Sequence, residues 1–289
     1  MAGMSEGIVA GYDGSLSSDE ALRWAAREAG ARGTALTICH AWAPEYLALL
    51  GDPAVGELAR KHGTEVLARG VRYATSVVDD VRPMLAEGSP AQVLCERSGT
   101  AEMVVVGTRG HGGLTGAPLG SVSWQVAGHA KGRVVVVRGL WLPVNQSPGP
   151  ILVGVDGSPA SEAALAFAFE EAALRDVPVV ALCALADAPG SLGGARQMEE
   201  DFNHVMTIQE KEHSGVTVVR QVAAGSPRSA LLTRGRGSVA RCGFTRARRP
   251  GRHASRLGRP GHAAPLAVPG RRRSPGSAPA LIPPSRGAR

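Results

Sequence analysis

The residues best suited to chemistry fall in one stretch. Gly107-Thr108-Arg109-Gly110-His111-Gly112-Gly113-Leu114-Thr115-Gly116-Ala117-Pro118-Leu119-Gly120-Ser121 directly follows the apolar run Val104-Val105-Val106. Five of the ten residues from 107 to 116 are glycine, so backbone N–H groups can close on an anion with no Cβ in the way. Gly120-Ser121 then opens a predicted helix, whose free N–H groups and dipole favour phosphate. Arg109 can add charge and the Ser121 hydroxyl a hydrogen bond. The terminal Gly-Lys-Ser/Thr of a Walker loop is absent. His111 is either a pH-sensitive phosphate contact or, the favoured reading, an exposed polar loop residue.

A second stretch, Gly11-Tyr12-Asp13-Gly14-Ser15, ends an early apolar run. Asp13 there either hydrogen-bonds a base or ribose, or forms an Asp turn that caps the following helix. Taken alone the turn is favoured; together with the glycine loop the balance shifts to a ligand. No nucleophile–base pair accompanies these residues, so no catalytic residue is assigned and binding is expected over strong catalysis. The four cysteines and eight histidines are scattered, which predicts reduced thiols and no metal site.

Both stretches require strands that deliver them to one edge of a sheet. Gly7–Tyr12 and Ala35–Trp42 are predicted strands. A helix capped by Ser17 or Ser18 runs between them to about Ala31, with Ala21, Leu22, Ala25 and Ala29 on one face. Ala54–Ala74 reads as mostly helical. Val81–Glu87 reads as a strand whose Pro83 suits an edge, Pro90 opens a helix to about Ser98, and Glu102–Val106 and Arg133–Val137 read as buried strands. Alternating strands and helices predict an α/β fold: an open parallel sheet with helices on both faces, binding ligand at the carboxyl ends of its strands.

The pattern then repeats. Ile8-Val9-Ala10-Gly11-Tyr12-Asp13-Gly14-Ser15 returns as Ile151-Leu152-Val153-Gly154-Val155-Asp156-Gly157-Ser158. Ser18, Ala21, Leu22, Ala25 and Glu28 return as Ser161, Ala164, Leu165, Ala168 and Glu171, and Gly88-Ser89-Pro90 as Gly225-Ser226-Pro227. A repeat of this length is a duplicated domain. The predicted organisation is a complete domain at 1–138, a linker at 139–150 with three prolines, a partial second copy at 151–232, and a tail at 233–289. The tail holds 14 of the 32 basic residues and no acidic one, so the body carries 18 basic against 25 acidic residues. The overall charge of +7 therefore says nothing about the body. Composition predicts disorder for the tail. Nucleic-acid binding would rest wholly on it, with Phe244 as its one aromatic, and is disfavoured. No apolar run approaches the roughly 20 residues of a membrane span, and the N-terminus lacks signal-peptide character. A cytoplasmic protein is expected.

Gly107, Gly110, Gly120 and Ser121 make up Gly, two residues, Gly, nine residues, Gly-Ser. In this the sequence resembles the ATP-binding, tandem-domain members of the universal stress protein family, well over about 6–138 and as the front of a second copy over 150–232. The resemblance implies a Rossmann-like fold of the adenine nucleotide alpha hydrolase type. It also implies a role in stress response or signalling through ATP, with or without Mg2+, and at most slow hydrolysis. By it, Asp13 would contact adenine with help from backbone near Ala41. Val106 and Gly107 would lie by the ribose, and Arg109, Gly110, Gly120, Ser121 and Val122 around the phosphates. Gly11, His111, Gly112 and Gly113 complete the expected nucleotide-binding set. Adenine nucleotide is the expected partner, a homodimer is implied, and a membrane partner is not. A hydrolase or transferase of the same fold is the alternative.

The second copy stops abruptly. Gly225-Ser226-Pro227 should lead to a strand and phosphate loop, yet Arg234-Gly235-Arg236-Gly237 begins a run of Arg, Pro, Gly and Ala. Reading from the second base of each codon, the tail permits Val-Val-Gly-Ser-Arg-Gly from residue 241, then nine residues, then Gly-Ser at 256–257. That is the missing loop at the spacing of the first copy. The reading frame is therefore expected to slip between about Leu232 and Ser238, leaving the second copy without its central strand and phosphate loop.

Overall fold

The computed structural model describes residues 6–42, 53–110, 119–138, 149–185 and 192–226, with short pieces at 230–231, 233 and 240–242. The first lobe runs β1 (Ile8–Gly11), α1 (Leu16–Arg32), β2 (Leu36–Trp42), α2 (Pro53–Ala74), β3 (Val81–Glu87), α3 (Pro90–Arg97), β4 (Met103–Gly107), α4 (Ser121–His129) and β5 (Arg133–Val137). All its strand pairs are parallel, in the order β3-β2-β1-β4-β5. Pro83, which cannot donate to a ladder on both sides, lies on the edge strand β3.

Alternation along the strands builds two cores. Ile8, Ala10, Ile38 and Val105 pack with α1 and α2 residues such as Leu22, Ala25, Val66 and Leu67. Val9, Cys39, Val104 and Val106 pack on the other face with Ala91 and Leu94 of α3 and Val126 of α4. The helices thus cover both faces, as the sequence pattern predicts. The cap of α1 differs from expectation. Ser15, not Ser17 or Ser18, is the N-cap: its backbone is extended and its Oγ accepts the Ser18 N–H at 3.2 Å. Ser18 is instead buried and donates back to the Ser15 carbonyl at 2.9 Å.

The second lobe runs β6 (Ile151–Val155), α5 (Pro159–Arg175), β7 (Val179–Leu185), α6 (Leu192–Glu212), β8 (Val218–Ala224) and β9 (Ala240–Cys242), with strand order β8-β7-β6-β9. Its core gathers Ile151, Val153, Leu165, Phe169, Phe202 and Met206. Leu231 lies against Gly154 as Leu94 lies against Gly11 in the first lobe. One expectation needs correction: the slot beside β6 holds the three-residue strand β9, paired parallel from Ile151↔Ala240 to Val153↔Cys242. Ladder hydrogen bonds come from backbone alone, so a short extended segment takes the slot whatever its side chains. The expected linker at 139–150 lies outside the described residues but for its last two, and so do residues 243–289.

Both lobes belong to the unit Met1–Ala247 and meet through α1 and α5. Glu28 and Arg32 sit 143 positions before Glu171 and Arg175, their equivalents in the repeat. Arg32 bonds both Glu28 and Glu171, and Arg175 bonds Glu28 at 2.5 Å and Glu171. The guanidinium of Arg32 lies over Phe167 and that of Arg175 over Trp24, with 5.8 and 5.7 Å to the ring centroids, a second matched pair. Arg133 of β5 adds a bidentate pair to Glu170 at 2.7 and 2.8 Å. Both Glu28 and Glu171 are buried. Burial and a hydrogen bond to Glu28 push the Glu171 carboxyl up to about 7. Burial acts to raise Glu28 as well, but the hydrogen bond from Glu171 and the charge of Arg175 outweigh it and hold Glu28 below the usual range.

Candidate functional site

The site lies where β1 and β4 run side by side. From β1 the chain continues outward on one side to β2 and β3, and after β3 it crosses over to β4 and β5. This is the switch point at which open α/β sheets bind ligands. Gly11 ends β1 and Gly107 ends β4. Gly11 must be small: a Cβ there would come within 2.9 Å of Leu94 Cδ1 and 3.2 Å of Val106 Cγ1. Gly107 must be small too, because a Cβ would sit 2.5 Å from the Ser17 carbonyl oxygen.

The turn after β1 and the loop after β4 are joined by hydroxyls. Ser17 Oγ lies 3.3 Å from Thr108 Oγ1 and accepts the Arg109 N–H at 3.3 Å. Asp13 Oδ1 accepts from the Ser15 N–H at 3.0 Å and the Ser15 hydroxyl at 2.6 Å, which is the Asp turn that the sequence predicts. Its other oxygen faces the loop: a Cβ on Gly110 would fall 2.4 Å from Asp13 Oδ2. Asp13 thus forms the Asp turn with one oxygen and abuts Gly110 with the other.

The far end of the loop returns to its start. Gly120 donates its N–H to the Thr108 carbonyl at 2.6 Å, and the Ser123 hydroxyl donates to the same oxygen at 2.9 Å. Thr108 and Gly120 are therefore held together. Gly120 is the N-cap of α4 and offers no side-chain bond to the helix, so the first N–H groups of α4 receive no side-chain cap from it. Ser121 is exposed at that first turn, and Val122 packs inward against the α3–α4 face. Arg109 and Gly110 are exposed, Ala41 lies near the carboxyl end of β2 paired with Ala86, and Val106 is buried in β4. His111, Gly112 and Gly113 lie outside the described residues.

Four residues of this site leave no mark of their part in it on the sequence. Ser15, Ser17, Thr108 and Ser123 knit the two segments together, and a lone serine or threonine carries no pattern. A fifth is Tyr12. Its carbonyl lies 2.8 Å from His40 Nδ1, and its hydroxyl donates to Asp19 Oδ1 at 2.7 Å. Burial and the Asp19 bond raise the Tyr12 phenol, against a lowering from Arg69. Among the described residues no group of three His, Cys, Asp or Glu could hold a metal ion, and no helix is long and apolar enough to cross a membrane.

Five parallel strands with two helices on each face define an α/β protein built on an open parallel sheet. Comparison with known proteins makes this specific. The model of the universal stress protein family matches residues 4–138 and 149–234, and the chain belongs to that family. It is 34% identical over 263 residues to a universal stress protein of Mycolicibacterium smegmatis, covering 83% of this chain and 89% of the relative. A Mycobacterium tuberculosis universal stress protein is 33% identical over 247 residues, covering 78% and 82%. The fold matches the crystal structure of a universal stress protein from Archaeoglobus fulgidus with a TM-score of 0.60 at 18% identity, covering 80% of this chain and 81% of that one. Family membership supports a role in stress response.

Proposed function

We propose that the first lobe binds ATP and that the protein acts in stress response through its nucleotide-bound state rather than through strong catalysis. One observation carries this reading: the closed base of the loop at Thr108 and Gly120 sets the uncapped start of α4 beside the Asp13–Ser17 turn. Backbone N–H groups, Arg109 and the Ser15, Ser17 and Ser121 hydroxyls then surround a polyphosphate, while Asp13, Ala41 and Val106 line the way to the nucleoside. Mg2+ would arrive on the phosphates, whose oxygens suit it better than the neutral hydroxyls of the protein. Slow hydrolysis needs a base near the terminal phosphate, and Asp13 is already engaged through Oδ1. The reading includes a cytoplasmic protein whose chains associate as a homodimer.

Calorimetry with ATP on the whole protein tests it, beside Gly110→Ala, whose Cβ would strike Asp13, and Gly120→Ala, whose Cβ would lie 3.3 Å from both Arg109 Cα and the Thr108 oxygen. The expected outcome is binding that the double variant abolishes. A folded parent protein that takes up no ATP overturns the reading.

A further inference from the structure

The chain contains its own control for deciding which features the fold needs and which the ligand needs, because the two lobes share a plan and the described part of the second carries no glycine loop. Core positions recur across the repeat: Ile8 as Ile151, Leu22 as Leu165, Ala25 as Ala168, all buried in both copies. The Asp turn recurs as well, with Ser158 N donating to Asp156 Oδ1 at 3.0 Å. Among the described residues one arrangement does not recur. Arg69, on α2 and 55 positions from Gly14, donates from Nε to the Tyr12 hydroxyl at 3.0 Å and from Nη2 to the Gly14 carbonyl at 2.5 Å. Its guanidinium also lies 5.7 Å from the centroid of the Tyr12 ring.

We propose that Arg69 and Tyr12 form a clamp, peculiar to the first lobe, that positions the Asp13–Ser15 turn for its ligand; the ligand part rests on the nucleotide reading above. The turn is held from three sides. Asp19 of α1 accepts a hydrogen bond from the Tyr12 hydroxyl, Arg69 of α2 donates to that hydroxyl and to the Gly14 carbonyl, and the Cys39 carbonyl of β2 accepts the Tyr12 N–H at 2.8 Å. The sequence makes room for it. Gly70 lies against the ring, where a Cβ would come 2.9 Å from Tyr12 Cε1, and Gly14 has φ +79°, with its missing Cβ leaving space for Arg69 Nη2. In the second lobe Val155 stands in the place of Tyr12 and has no hydroxyl to hold. The one arginine of α6, Arg196, is in its first turns and pairs with Glu200 at 3.1 Å.

Because the Asp156 turn forms with valine in the place of Tyr12, the tyrosine clamp is not what makes the turn. Its work is to stiffen a turn that already exists, so that Asp13 and Ser15 meet a ligand without first being ordered. Arg69 is a positioning residue on this account: it acts on the ligand through Gly14 and Tyr12.

The test uses the whole protein with Arg69→Met, Arg69→Lys and Tyr12→Phe, read by ATP calorimetry and by amide hydrogen exchange over residues 13–18. Losing a charge-assisted bond to the Gly14 carbonyl should weaken ATP by about tenfold in Arg69→Met. Lysine keeps one donor for that carbonyl and should recover part of the loss, which a purely space-filling role would not produce. Tyr12→Phe should weaken ATP less, since the Gly14 bond survives. An Arg69→Met protein that binds ATP as the parent does overturns the proposal. Should the parent bind no ATP, the nucleotide reading falls and exchange decides the clamp. Faster exchange over 13–18 in Arg69→Met, with the rest of the lobe unchanged, upholds it, and unchanged exchange there overturns it.

Discussion

Replacing Glu171 by glutamine should make the protein more stable at alkaline pH while changing little at acid pH. Glu171 is buried against Glu28, Arg32 and Arg175, with Glu170 and Arg133 at the edge of the cluster. Its carboxyl sits at about 7 in the folded protein against an ordinary 4.5. A raised folded value means that the folded state holds the proton more tightly. The stabilisation is full below about 4.5 and is lost as pH rises through about 7. Glu28 has the opposite sign: its contribution is full above the ordinary value and is lost only as pH falls below it. Between pH 5.5 and 8.5 the Glu28 contribution is therefore constant, and the slope belongs to Glu171. At about 1.4 kcal/mol per pH unit, the whole interval corresponds to about 3 kcal/mol, of which about 2 kcal/mol falls between pH 5.5 and 8.5. Glutamine imitates the protonated carboxyl, with an oxygen for the arginines and an N–H for Glu28, and it does not titrate. Thermal unfolding followed by circular dichroism should show the Tm difference, Glu171→Gln variant minus parent, widening by about 4–8 °C across that window. A difference that stays constant with pH refutes the reasoning, because it would mean that the two guanidiniums keep both carboxylates ionised throughout.

Two further outcomes follow from single contacts. Gly107→Ala drives a methyl to 2.5 Å from the backbone of Ser17, which cannot swing aside as a side chain would; the urea midpoint should fall by the equivalent of about 1–3 kcal/mol. Ser15→Ala removes the side-chain cap of α1 and the hydroxyl bond to Asp13, and should cost about 1–2 kcal/mol by the same assay.

The sheet and its edge strand are legible because each leaves a periodic or punctuating mark. Apolar strands end in Gly11 and Gly107, and Pro83 falls on the edge strand. The cap of α1 is not legible because Ser15, Ser17 and Ser18 are equally good acceptors by type. Only the extended backbone of Ser15 decides among them. The Glu28–Arg32 and Glu171–Arg175 pairs are invisible for a different reason. At i,i+4 spacing each reads as a solvated helix face, and nothing local says that two such faces bury one another. The repeat does hold the clue, since the same Glu and Arg recur 143 positions on. Arg69 leaves no mark at all: an arginine on an amphipathic helix is ordinary, and its partners lie 55 and 57 positions away.

Register bears on how the second lobe ends. In the first lobe Val9 pairs with Val104 and Ala10 with Val105, and both β4 residues are fully buried between the helices of the two faces. In the second lobe the matching partners of β6 place Arg241 opposite Leu152 and Cys242 opposite Val153. Arginine thus stands at the register position that valine holds in the sister lobe. The shifted reading frame permits valine at 241 and 242 and the glycine loop directly after them. The codons of the gene across 232–258 decide the matter. If they spell Val-Val-Gly-Ser-Arg-Gly and, nine codons on, Gly-Ser, then a one-base correction upstream of Ser238 should yield a second lobe with its own central strand. That lobe should resist proteolysis beyond Leu232, where the present chain is expected to be cut. If the shifted codons spell anything else, or if the present chain already resists cleavage there, the frame has not slipped and the second lobe ends at its selected boundary.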